Sequence, residues 1–184
     1  MATEIIDRSH LNEKAWNILL QESPHSSFYH GLDWIEACCQ GMRGYRPFFA
    51  VSTDGRGEYQ AGLPFVTSVR AGISQKLSLP FGTYGGILAL ADLDPKELDS
   101  FAGAAILAMS GPFVARQNIV DFNGLIDWRR YGFKEAALQT HIVDMGKYAH
   151  DPVHLRKRGA VQARKHGVEI RPLRNEDGIR ICHQ

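Results

Sequence analysis

The sequence has few cysteines, and they do not follow the pattern of a disulfide-stabilised or zinc-binding protein. Among its 184 residues are three cysteines: Cys38 and Cys39 are adjacent, and Cys182 lies far along the chain. A disulfide framework needs paired thiols and a structural zinc site needs spacings such as C-x-x-C, and neither is present. We therefore expect reduced, buried thiols.

Long hydrophobic runs are also absent. No apolar stretch reaches the ~18 residues that a membrane-spanning helix requires. The first ten residues, MATEIIDRSH, lack the basic and then apolar pattern of a secretion signal. These features predict a protein without a membrane span that is located in the cytoplasm.

Common nucleotide-binding and catalytic motifs are missing. Neither G-x-x-x-x-G-K-[ST] nor G-x-G-x-x-G occurs, and no histidine or serine lies in an H-E-x-x-H or G-x-S-x-G spacing. The eight histidines are dispersed, and isolated ones such as His25, His30 and His141 are more often structural than catalytic. Asp121 and Asp127 lie in turn-like sequence, so we interpret them as turn residues. Spacing therefore names no catalytic residue and predicts no metal or other cofactor.

The composition is that of a folded domain with a substantial core. Hydrophobic residues make up 44% of the chain, charged residues 22%, and the formal net charge is +1. The hydrophobic periodicity predicts four helices and six or seven strands in an α/β alternation, with hairpins that make the sheet mixed. The expected helices are 11–21, 32–39, 92–110 and 154–166, and the expected strands are 3–6, 47–52, 59–69, 76–80, 118–125, 136–145 and 168–173. An apolar run at 87–91 follows an expected tight bend at Gly85 and Gly86. The predicted fold class is therefore α/β, in an α+β arrangement of layers.

Positive charge is concentrated near the end of the sequence. Residues 1–149 carry 13 Lys and Arg against 16 Asp and Glu, whereas residues 150–184 carry 8 against 4. In the expected helix 154–166, Lys157 and Arg164 share one line of the surface, and Arg158 and Lys165 share a neighbouring line. Because no acid is interleaved, this cationic stripe predicts an anionic partner, such as a phosphorylated ligand or RNA. The alternative is a merely solvated helix face.

Several motifs, in this order, resemble the FemAB family of aminoacyl and acyl transferases, grouped with the GNAT superfamily. They are the aromatic segment with Phe28 and Trp34, the turn from Pro80 to Tyr84, Gly85 and Gly86, and the basic helix that ends at Gly167 and Val168. The resemblance covers essentially the whole chain. Phe28 and Trp34 are expected to pack mainly in the core, and Tyr84 is equally expected to be a packed turn residue or a cleft residue.

The resemblance implies a transferase that moves an aminoacyl or acyl group to an amine acceptor without a cofactor. Characterised members use aminoacyl-tRNA and a peptidoglycan precursor. Trp34, Tyr84, Gly85 and Gly86 would then bind the acceptor. The stripe of Lys157, Arg158, Arg164 and Lys165 would face phosphates of tRNA or of the precursor.

The resemblance also implies two tandem GNAT-like modules. Residues 1–149 would form the first, and residues 150–184 would be a basic helix and strand leading into the second. The sequence then stops inside the first helix of that second module, so a lone module is expected to be incomplete or to form a homodimer.

Two other functions remain open. One is a non-catalytic module that binds RNA or another polyanion through the basic helix. The other is an acyl-CoA N-acetyltransferase, for which Arg156 to Val161 would be the pyrophosphate loop. Val161 departs from the R-x-x-G-x-G/A pattern, and the segment lies inside a predicted helix, where free N–H groups are lacking.

Overall fold

The computed structural model describes residues 2–70, 72–80, 85–109, 111, 113–114, 126–134 and 154–168. The chain divides into two compact units, Met1–Ala137 and Leu138–Gln184. The boundary predicted between residues 149 and 150 lies outside the described residues, as do the strands predicted at 118–125 and 136–145 and all but the first residue of 168–173. None of the described helices is long and apolar enough to cross a membrane.

The first unit contains a six-stranded mixed sheet, which agrees with the predicted α+β arrangement. The strand order is β1-β2-β3-β4-β6, with β5 paired to β3. All pairings are antiparallel except that of β4 with β6, which is parallel. The strands are β1 (Ala2–Asp7), β2 (Arg46–Thr53), β3 (Tyr59–Arg70), β4 (Ile73–Leu77), β5 (Leu88–Ala89) and β6 (Phe113–Val114).

The hairpin between β2 and β3 was predicted, but its turn differs in detail. We expected the positive φ at Asp54-Gly55, whereas it occurs at Gly57, with φ of 82°. The Asp54 carboxylate accepts hydrogen bonds from the N–H groups of Arg56, at 2.8 Å, and Glu58, at 3.0 Å. This side-chain bonding organises a longer loop, so the left-handed residue comes later than in a two-residue turn.

The strand predicted at 76–80 begins earlier than expected. In the structure, β4 begins at Ile73, directly after Gly72, whose φ is 78°. This left-handed glycine lets β4 fold back on β3, with Arg70 opposite Ile73. In the apolar run 87–91, Leu88 and Ala89 pair with β3 and form the short strand β5.

Helices begin at side chains that bond the free N–H groups of the first turn. The Asn12 side chain accepts from the Ala15 N–H at 3.2 Å, and the Asp94 side chain accepts from the Lys96 N–H at 2.7 Å. The described α-helices are α1 (Glu13–Glu22), α2 (Leu32–Gly41), α3 (Pro95–Ala108) and α4 (His154–Lys165), with 3₁₀ helices at Phe28–His30 and Trp128–Tyr131. Asp127 caps the second of these by accepting from the Arg129 N–H, which confirms its interpretation as a turn residue.

The sheet has apolar layers on both faces because successive side chains of a strand point to opposite sides. In β2, Ala50 belongs to the core cluster beneath α3, which includes Phe101 and Ala105. The neighbouring Phe49 and Val51 belong to the other cluster, beneath α1 and α2. Helices therefore cover both faces of the central strands.

Two predicted helix faces are partly wrong. In α1 we expected Ile18 to be buried, but it is exposed and Trp16 is fully buried instead. In α2 we expected Cys39 to accompany Ile35, whereas Cys38 is the more deeply buried thiol. The reason in α1 is the opposing strand: Gly62 of β3 has no side chain, and the large Trp16 ring occupies that space.

Gly62→Ala is expected to lower the free energy of unfolding by about 1–3 kcal/mol through overpacking. A Cβ at this position would lie 2.5 Å from Cζ3 of Trp16 and 3.1 Å from Cδ2 of Leu19. Denaturant unfolding measures the change. Gly55→Ala is the control, because its Cβ would meet nothing within 4 Å. Equal stabilities of the two variants would contradict the prediction.

Candidate functional site

Three aromatic side chains form a surface cluster where the chain enters α2. The rings of Phe28, Tyr29 and Trp34 lie with centroids 5.5 to 5.9 Å apart in tilted or edge-to-face arrangements. Phe28 is 74% exposed, so the expectation that Phe28 packs in the core is wrong. We call these three residues the aromatic patch.

Trp34 adds a polar group to the aromatic patch. Its ring is half-buried, and its indole Nε1 is buried with no hydrogen-bond partner among the described residues. A buried N–H without an acceptor costs free energy. Since bonding to a ligand oxygen would remove that cost, this N–H is a candidate contact for a ligand carbonyl or hydroxyl.

The Gly85–Gly86 turn is the second part of the site. Both glycines are buried, and Gly86 has a φ of 131°, a conformation that side-chain-bearing residues rarely adopt. The chain continues into the buried residues Ile87 and Leu88, which anchor the turn. Of the four predicted acceptor-binding residues, Trp34, Gly85 and Gly86 are described, and Tyr84 lies outside the described residues.

The aromatic patch and the glycine turn are distant in sequence, but the fold brings their segments together. The Ala89 N–H donates to Oγ of Ser23 at 3.2 Å in a buried hydrogen bond. Tyr29 and Leu32 pack against the same core cluster that contains Leu88. Residues 23–35 and 85–89 therefore form one continuous region of the first unit.

His30 ends the 3₁₀ helix that carries Phe28 and Tyr29. It is fully buried, and its Nδ1 accepts from the Ser27 N–H at 3.2 Å and lies 2.9 Å from the Ser27 hydroxyl. Its Nε2 is buried and has no hydrogen-bond partner among the described residues.

Burial lowers the pKa of His30 to about 4, and the smaller backbone interactions with Gly86 and Ser27 oppose that effect. The imidazole is therefore neutral near pH 7. Sequence reasoning interpreted this histidine as structural. No spacing signal indicates its complete burial, since burial depends on tertiary packing.

The basic helix α4 is described within the second unit. Arg164 and Lys165 are exposed, and neither forms an ion pair with a described residue. Lys157 and Arg158, the other two predicted anion-binding residues, lie in its first half. The chain leaves the helix through Gly167, which has a φ of 73°, and the Val168 N–H donates to the Ala163 carbonyl at 3.0 Å. The two exposed cations also lie at the negative end of the helix dipole, which stabilises them without any ligand.

A separate groove of about 270 Å³ lies between β1 and α3 and shares no residue with the site. In the described part of the chain, no group of three His, Cys, Asp or Glu side chains is placed to hold a metal ion. Comparison with protein-family models, curated proteins and solved structures yields no match for this chain.

Acid is expected to destabilise the first unit through His30. The unfolded state takes up a proton below pH ~6.5, whereas folded His30 resists protonation until about pH 4. The contribution of neutral His30 to the free energy of unfolding is complete above pH ~6.5. It falls by up to about 3 kcal/mol as the pH drops towards 4. Denaturant unfolding of the protein and of His30→Gln between pH 7.5 and 4 measures the difference. Parallel pH profiles for the two proteins would contradict the assignment.

Proposed function

We propose that this chain is the first module of a FemAB-type transferase that moves an aminoacyl or acyl group to an amine acceptor. The observation that supports this proposal best is that the segment of the exposed aromatic patch and the segment after the Gly85–Gly86 turn are joined by the buried hydrogen bond from the Ala89 N–H to Oγ of Ser23. Two segments that resemble family motifs thus lie in one region, although the chain between them forms α2 and three strands.

The proposed chemistry needs little from side chains. The acceptor amine attacks the donor carbonyl carbon, the bond from that carbon to the donor oxygen or sulfur breaks, and the amine proton passes to solvent or the leaving group. Because the ester or thioester is already activated, the protein contributes by orienting the amine and by stabilising the oxyanion. A site without a catalytic triad is consistent with this reaction.

The aromatic patch suits an acceptor that carries an amine. An ammonium group is attracted to the face of an aromatic ring, and Phe28 offers such a face to solvent. The Trp34 indole N–H can donate to a peptide carbonyl of the same acceptor. The Gly85–Gly86 turn lets a ligand approach the backbone closely, because it has no side chains in the way.

His30 is not suited to accept the amine proton. Its Nδ1 is engaged by Ser27, the residue is inaccessible to solvent, and its pKa of about 4 makes it a weak base. Within the proposal, proton acceptance falls to the leaving group, to water or to a residue outside the described part of the chain.

We expect Phe28→Ala to weaken binding of a UDP-linked muramyl pentapeptide about tenfold in Kd, equivalent to ~1.4 kcal/mol, through loss of the aromatic face. Isothermal titration calorimetry measures the affinity. Leu107→Ala is the matched control, because Leu107 is an equally prominent apolar residue, 86% exposed, on α3. Transfer from alanyl-tRNA and from acetyl-CoA, assayed with the same acceptor, distinguishes the two donor classes.

Two outcomes would overturn the proposed function. One is no binding of the muramyl pentapeptide at millimolar concentration together with no transfer from either donor. The other is an equal loss of affinity in Phe28→Ala and Leu107→Ala. Transfer from acetyl-CoA alone would favour the N-acetyltransferase over the aminoacyl transferase.

A second candidate function is binding of a polyanion by α4. The observation that favours it is the exposure of Arg164 and Lys165 without an acidic partner among the described residues. Unpaired cations on one helix release counterions when they meet phosphates, which makes binding depend steeply on salt. In the transferase, the same helix would hold phosphates of the donor or the acceptor.

Arg164→Gln with Lys165→Gln is expected to weaken poly(U) binding and to reduce the slope of log K against log salt by about 1.4, at ~0.7 per lost phosphate contact on a single strand. Fluorescence anisotropy at salt concentrations from about 50 to 200 mM measures the slope. The control is Lys14→Gln with Arg43→Gln, two exposed cations of the first unit. Equal slopes in both double variants would leave α4 as a solvated helix face.

A further inference from the structure

We infer that β1 and the groove beside α3 form a docking site for an extended peptide strand that alternates apolar and basic side chains. The site is independent of the proposed function, because its residues belong to neither the aromatic patch nor the glycine turn. Three features of the first unit support it: the free edge of β1, the groove, and the charges around them.

The strand β1 lies at one end of the sheet. Among the described residues it pairs only with β2, over the six residues from Ala2 to Asp7. The side chain of Glu4 is exposed and that of Thr3 is partly exposed, so the edge is accessible. The backbone N–H and C=O groups on the side away from β2 can therefore bond an added strand.

The groove lies where an added strand would place every second side chain. Ile5 packs against the core cluster that contains Phe101, whereas Ile6 packs against the cluster beneath α1. Odd-numbered residues of β1 thus face α3, and a strand beside β1 would also point alternate side chains towards α3. There they would meet a groove of about 270 Å³, which is lined by Thr3, Lys96, Glu97, Ser100, Phe101 and Ala104.

The α3 side of the groove suits apolar side chains. Phe101 and Ala104 contribute apolar surface to its lining. Leu107, three residues after Ala104, lies on the same face of α3 and is 86% exposed, more than any other large apolar residue in the described part of the chain. Apolar side chains of a bound strand would remove this surface from water.

The charges around the groove favour a basic partner. Glu97 lines the groove, Asp94 caps the helix that carries it, and Glu4 extends from the opposite face of β1. All three acids are exposed, and Lys96 is the one cation among the described lining residues. When the apolar side chains of a bound strand enter the groove, its basic side chains lie on the face that carries Glu4.

A second copy of β1 fits this edge less well than a basic peptide. It would bring another Glu4 and another Asp7 to the edge, and like charges on adjacent strands are destabilising. Arg8, which follows β1, does not offset them, because it is already paired with Glu13 at 2.7 Å and with Glu36 at 2.6 Å.

NMR titration of the intact chain with acetyl-Val-Lys-Val-Lys-Val-amide tests the site. We expect the backbone amide shifts to change in β1 and in residues 96–104 of α3, and hydrogen exchange in β1 to slow. Acetyl-Val-Glu-Val-Glu-Val-amide should bind about tenfold more weakly, because its carboxylates meet Glu4. The double variant Glu4→Lys with Glu97→Lys should reverse this preference. The control, Glu22→Lys with Glu58→Lys at two exposed acids elsewhere, should keep it.

N-methylated peptides test strand pairing without any change to the protein. Successive residues of a strand direct their N–H groups to opposite edges. Methylation of the lysine nitrogens therefore blocks one edge of the peptide, and methylation of the valine nitrogens blocks the other. We expect one of these peptides to bind like the unmethylated one and the other to bind about tenfold more weakly.

Equal affinities of the two N-methylated peptides, or of the lysine and glutamate peptides, would overturn the inference. The absence of shift changes in β1 at millimolar peptide would also overturn it. Shifts of the β1 amides that depend on protein concentration without peptide, together with the mass of a dimer in analytical ultracentrifugation, would instead assign the edge to a second copy of the chain.

Discussion

The packing of Trp16 against β3 is the contact on which the site depends. The absence of a side chain at Gly62 lets the indole reach the sheet, where it also meets Phe49 edge-to-face at 5.0 Å. Truncating a buried tryptophan typically costs about 3–5 kcal/mol. The same indole donates to the His30 carbonyl, so the packing of α1 also fixes the segment that carries the aromatic patch.

A short hierarchy follows from that contact. The sheet fixes Trp16, and Trp16 fixes the main chain of His30 through the hydrogen bond to its carbonyl. Each step is a buried polar or aromatic contact, where a loss is expensive because no water replaces the missing partner. The exposed part of the site, Phe28, is thus supported by buried groups, and a rigid support reduces the entropy that binding costs.

The proposed transferase and the polyanion-binding module make different demands on the chain. The proposed acyl transfer uses the aromatic patch and the glycine turn of the first unit, and α4 would bind phosphate groups of the donor or the acceptor. Polyanion binding uses only α4 and leaves the aromatic patch and the glycine turn without a functional role. The first hypothesis therefore accounts for more of the described features, although the helix dipole alone can stabilise Arg164 and Lys165.

Local patterns were predictable from the sequence because they depend on neighbouring residues. Asp94 and Pro95 mark the start of α3, alternating apolar residues mark β2 and β3, and uncompensated cations mark α4. The prediction that Trp34, Gly85 and Gly86 bind an acceptor came from a family resemblance and not from local pattern.

Tertiary structure alone decided which faces are buried and which segments meet. Trp16 is buried and Ile18 is exposed because the opposing position in β3 is Gly62, which leaves space for the indole ring. The hydrophobic periodicity of α1 alone does not indicate which residue of β3 lies opposite. Phe28 is exposed because its neighbours in space are Tyr29 and Trp34 at the surface. The hydrogen bond between the Ala89 N–H and Ser23 joins segments that are 66 residues apart in the sequence. Such long-range contacts arise from the packing of the whole sheet, which no local spacing encodes.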